Sequence, residues 1–64
     1  MPITLKAARV NAGMTQPEAA KALKIAKSTL ANYEQQKTIP NMEIAKRMAK
    51  LYEIPMDELI FFAE

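Results

Sequence analysis

The 64-residue chain contains no Cys, no His and no Trp, and Gly13 is its only glycine. Without His it lacks the side chain that most often serves as general base near neutral pH, which is also the commonest metal ligand. Without Cys it has no thiolate nucleophile, disulfide or cysteine-ligated zinc. A chain this short is worth about 3–10 kcal/mol of folding free energy, so most of its apolar side chains are committed to one core. These absences argue against an enzyme, and no cofactor, metal or small-molecule substrate is expected. A single domain over residues 1–64 is the expected organisation. No stretch reaches the roughly 18 apolar residues of a membrane span, and the start, Met1 to Arg9, lacks the apolar run of a signal peptide. A cytoplasmic protein with no membrane contact is therefore expected.

Half of the residues are hydrophobic, and eleven of these are Ala, which suits closely packed helices better than a sheet. The formal net charge of +2 is divided unevenly. Lys6, Arg9, Lys21, Lys24, Lys27 and Lys37 face only Glu18 and Glu34 in residues 1–37, whereas acids outnumber bases beyond. An anionic partner would meet the first half.

Pro2, Pro17, Pro40 and Pro55 divide the chain into five short helical segments. Thr4 is a cap for the first, whose stripe is Leu5, Ala8 and Ala12, and Gly13 suits its left-handed end. Thr15 and Glu18 form a capping-box pattern for the second, with Pro17 in its first turn. That helix runs through Ala19, Ala20 and Leu23. After Lys24-Ile25-Ala26 a third helix spans Lys27 to Glu34, with Leu30 and Tyr33 on one side. The chain before Pro40 reads as a loop. Asn41 caps a fourth helix with Met42, Ala45, Met48, Ala49 and Tyr52 on one face. A fifth is expected from Met56 to about Phe62, with Asp57 and Glu58 at its positive end. Met14, Met42, Met48 and Met56 read as core or gap fillers.

The second and third helices, joined by a tight turn with Ala20, Leu23, Ile25, Leu30 and Tyr33 inward, meet the packing needs of a helix-turn-helix. Lys27, Ser28, Ala31 and Asn32 then share the free face of the third helix. They combine donors, acceptors and a methyl group able to approach base edges in a DNA major groove.

With Ala8-Arg9, Gly13-Met14-Thr15-Gln16, Ser28-Thr29-Leu30, Tyr33-Glu34, Lys37, Pro40, Ala49 and Ile54 to Leu59 in this order and spacing, the sequence resembles the phage-repressor and Cro-type helix-turn-helix domains. The resemblance covers nearly the whole chain. It implies an all-α, five-helix domain of the lambda-repressor-like type, part of a phage or prophage transcriptional regulator such as a repressor. Such domains bind double-stranded DNA, commonly as a homodimer on a pseudo-palindromic operator. The resemblance implies that Gln16 meets a phosphate at a helix start and that Lys27, Ser28 and Asn32 read bases. It places Lys37, Thr38 and Asn41 against the DNA backbone, and leaves Thr29 between a phosphate contact and a shield for the turn. Arg9 and Glu34 correspond to a structural ion pair between the first and third helices.

The chain departs from the family pattern at three positions. Lys24 and Gln36 stand where turns usually hold Gly, at a cost of roughly 1–2 kcal/mol if the backbone is left-handed. Lys24 can compensate by adding charge beside a phosphate. Ala26 stands where a capping Ser or Thr is common. Ile60, Phe61 and Phe62 are too many large apolar residues for one short helix to bury, which marks a dimer patch or a surface covered by further chain. The alternative to operator binding is a protein-interaction module of the same fold, antitoxin-like or repressor-binding.

Overall fold

The helices begin where a side chain replaces a missing backbone partner, with one exception. In the computed structural model, which describes residues 2–61, α1 (Leu5–Asn11) starts at Thr4, whose hydroxyl accepts from the Ala7 N–H at 3.2 Å. The α2 helix (Gln16–Leu23) starts with a complete capping box. Glu18 N–H donates to the Thr15 hydroxyl at 3.3 Å, and Thr15 N–H donates to the Glu18 carboxylate at 2.9 Å. The bond from that N–H, and next the one from the hydroxyl, hold the Glu18 carboxyl below its ordinary value. The α4 helix (Met42–Tyr52) starts at Asn41, whose side-chain oxygen accepts from the Ile44 N–H at 2.9 Å. The exception is α3 (Lys27–Glu34), which starts at Ala26 with no side-chain cap.

All four helices end in the same way. One residue past the end of α2 and α4, and two past the end of α1 and α3, the backbone turns left-handed, and the next residue donates back to a carbonyl inside the last turn. The left-handed residues are Gly13, Lys24, Gln36 and Glu53, with φ of 74°, 60°, 63° and 56°. The returning donors are Met14 to Arg9, Ile25 to Ala20, Lys37 to Asn32 and Ile54 to Ala49, at 2.9–3.2 Å. Met14, Ile25 and Ile54 also pack against the core, the apolar contact that accompanies this motif. Lys37 is the exposed, charged member of the set.

Lys24 and Gln36 thus keep the turn geometry that Gly would favour. Lys24→Gly is expected to stabilise the domain by about 0.5–1 kcal/mol, the relieved backbone cost less the greater chain entropy of Gly. Urea denaturation checks this, and a lowered midpoint would refute it.

The core lies where α1, α2, α3 and α4 meet, around Leu5, Leu23, Leu30 and Met48. Ala19 and Ala20, both buried, present almost no side chain between α2 and its neighbours. Within α3 only Leu30 is fully buried. That helix is therefore held along one edge, and its opposite face is left uncommitted. Among the described residues no helix is long and apolar enough to cross a membrane.

The structure corrects the sequence reading at the C-terminal end. Four α-helices are found among the described residues, where five were expected. Met56–Glu58 form one turn of 3-10 helix, and Leu59–Ile60 then extend as β2. This strand pairs in parallel with β1 (Ile3–Thr4), in the register Ile3 opposite Leu59 and Thr4 opposite Ile60. The physical reason is periodicity: in an extended chain Leu59 and Phe61 lie on the same face. Leu59 is buried and Phe61 packs against the core. Ile60 and Phe61 are half-buried, and Phe62 lies outside the described residues.

Two smaller expectations also fail. Ala12 is exposed and lies just beyond α1, because that helix stops at Asn11. Met42, the first residue of α4, is 61 % exposed and fills no gap in the core.

Candidate functional site

The site grows from α3, the end of α2 and the loop that follows α3. Lys27 and Ser28, in the first turn of α3, are exposed. Ala31 and Asn32, one turn further on, are half-buried, as is Thr29. Their common helix is pinned from behind by Leu30 and by the partly buried Tyr33. A short helix anchored on one side presents its remaining side chains in a fixed spatial order, a condition for reading a base sequence.

Two cationic residues flank this face. Lys24 caps α2 and is exposed, three residues ahead of Lys27. Lys37 follows α3, and its N–H donates to the Asn32 carbonyl at 2.9 Å, tying the start of the loop to the helix that carries Asn32. Thr38 is exposed. Asn41 is exposed as well, with its side-chain oxygen occupied in capping α4.

Behind the face lies a charged cluster that joins three elements. Arg9 Nε donates to Glu34 Oε2 at 2.7 Å, and Arg9 Nη1 donates to the Met14 carbonyl at 2.8 Å. The side chains of Arg9 and Glu34 are 11 % and 3 % exposed. Gln16 Nε2 donates to Glu34 Oε1 at 2.9 Å. One carboxylate therefore binds α1, the start of α2 and the end of α3 together. The bond from Gln16 is not legible in the sequence, where the resemblance implies only an outward role for Gln16. No spacing signal links residues 16 and 34.

Tyr52 is buried, and its hydroxyl has no hydrogen-bond partner among the described residues. Burial foremost, reinforced by the Glu34 carboxylate and opposed by Arg9, pushes its pKa up to about 12. Between about pH 10 and pH 12 the unfolded chain releases this proton and the folded chain retains it. Stability present below pH 10 is then lost as pH rises, by about 2–3 kcal/mol. Tyr52→Phe should abolish that loss. At pH 8 it should be as stable as the parent or about 1 kcal/mol more so, since a buried hydroxyl without a partner is removed. Thermal melts at pH 8 and pH 11 test both statements, and parallel losses in the two proteins would contradict them.

Two short helices in close succession, the second fixed along one side and free on the other, with cations at both ends of the free face, define a helix-turn-helix domain. The chain belongs to the helix-turn-helix family, of the phage-repressor type, which it matches over residues 5–59. It is similar to the HTH-type transcriptional regulator ImmR of Bacillus subtilis (strain 168), with 39 % identity over 56 residues. Those residues cover 88 % of this chain and 44 % of that protein, so the chain spans less than half the length of this relative. No solved structure matches the chain.

Proposed function

We propose that the chain binds double-stranded DNA sequence-specifically as the reading domain of a transcriptional regulator. Helix α3 enters the major groove, where Lys27, Ser28, Ala31 and Asn32 meet base edges. Gln16, Lys24, Lys37, Thr38 and Asn41 contact phosphates and set the register. The observation that carries this reading is the uncommitted face of α3, flanked by Lys24 and by a Lys37 tethered to the carbonyl of Asn32. Membership of the helix-turn-helix family and the likeness to a transcriptional regulator support it. The domain acts in the cytoplasm as a homodimer on a pseudo-palindromic operator, with Ile60 and Phe61 near the two-fold axis.

Selection from a random duplex library at two salt concentrations tests the proposal. The expected result is enrichment of a pseudo-palindrome bound by two chains per duplex in sedimentation. If about five phosphates are contacted per half-site, log K should fall with log salt at a slope of about −4.5 for each domain. A folded chain that enriches nothing at low salt would overturn the proposal and leave a protein-interaction module.

A further inference from the structure

We infer that Glu34 is a positioning residue that locks the phosphate contact of Gln16 to the base-reading helix, so that Gln16 contributes to sequence discrimination as well as to affinity. The inference rests on the DNA-binding reading proposed above and assigns a further role within that surface.

The ion pair with Arg9 would need only one oxygen of the Glu34 carboxylate at short range. Oε2 receives Arg9 Nε at 2.7 Å, whereas the second Arg9 contact, Nη2 to Oε1, is long at 3.4 Å. Oε1 is left to accept from Gln16 Nε2 at 2.9 Å. Because a carboxylate only accepts, the amide nitrogen of Gln16 must face it, and the second N–H on that nitrogen is the donor left for a phosphate. Gln16 is half-buried, and its bond to Glu34 is part-buried.

The start of α2 offers few other donors. Pro17 has no N–H, and the Glu18 N–H is bonded to the Thr15 hydroxyl. An anion arriving at this end therefore depends on the Gln16 side chain more than it would at an ordinary helix start. Glu34 closes α3 two residues after Asn32 and is anchored by a buried Arg9. A phosphate held by Gln16 is in this way connected, through one hydrogen bond to a nearly inaccessible carboxylate, to the backbone that aims Asn32.

A phosphate contact that acted alone would weaken binding uniformly across sequences when removed. A contact that also fixes the angle of α3 would weaken the preferred site more than others. Gln16→Met keeps the length of the side chain and removes its donors. Affinities of the parent and of Gln16→Met are measured for the selected operator and for a scrambled duplex of equal length. The expected result is a ratio of operator to scrambled affinity lowered about tenfold. Glu34→Asp, which keeps the charge opposite Arg9 and withdraws the carboxylate from Gln16, should lower the ratio similarly. The double variant should be no worse than either single one. If Glu34→Asp is unfolded by circular dichroism, Gln16→Met decides alone.

Equal losses on both duplexes, or no loss on either, would overturn the inference and leave the DNA-binding reading intact. A parent protein that prefers no duplex would overturn that reading, and this inference with it.

Discussion

Glu34→Ala is expected to remove about 3–5 kcal/mol of stability, because it leaves Arg9 charged and nearly buried with no carboxylate beside it. The domain as a whole is worth about 3–10 kcal/mol, so this variant should be largely unfolded at or slightly above room temperature. The loss exceeds that of an exposed ion pair such as Arg47 with Glu43, spaced i,i+4 along α4, which is worth about 0.3–0.5 kcal/mol. Replacing both partners, as in Arg9→Met with Glu34→Leu, should restore most of the loss, since two apolar side chains of similar volume have no desolvation to offset. Urea denaturation followed by circular dichroism measures all three proteins. A loss below about 1 kcal/mol for Glu34→Ala would show that water reaches the pair freely.

The second large effect concerns DNA. Asn32→Ala should weaken binding to the selected operator by about 5- to 150-fold, the range of one well-made base contact. Affinity for a scrambled duplex and the salt slope should stay as they are, because the substitution removes no charge. Lys37→Ala gives the contrasting pattern, a similar loss on every duplex and a slope shallower by about 0.9. Fluorescence anisotropy at several salt concentrations separates the two. Asn32→Ala weakening both duplexes alike would remove Asn32 from the base-reading set.

Much of this architecture is legible in the sequence because it is local. Thr4, Thr15 with Glu18, and Asn41 each act within three residues of their partners, and all cap the helices they precede. The stripe through Ala20, Leu23 and Leu30 is local too, and those side chains are buried. What escaped sequence reading depends on distant partners. Leu59 and Ile60, with Phe61 just beyond, carry no mark that Ile3 and Thr4 offer an edge for a strand. Their high strand propensity was a weak hint, overshadowed by acidic residues that suit a helix start. The left-handed turn at Glu53 is poorly advertised by an acidic residue, although Ile54 behind it repeats the pattern of Met14 and Ile25. The candidate reading residues were found from the free face of α3. The link from Gln16 to Glu34 became visible only when α2 and α3 were placed together.

The two-residue ladder between β1 and β2 also governs the order in which the chain assembles. Helices α2 and α3 pack on each other across a short turn and can form early, whereas this ladder joins the first described residues to nearly the last. Closing so long a loop costs chain entropy that must be met by contacts already made. The ladder should therefore form last and open first, releasing Leu59 from the core while the α2–α3 pair stays assembled. Amide hydrogen exchange would record it as faster exchange at the paired strands than at the middle of α2 and α4.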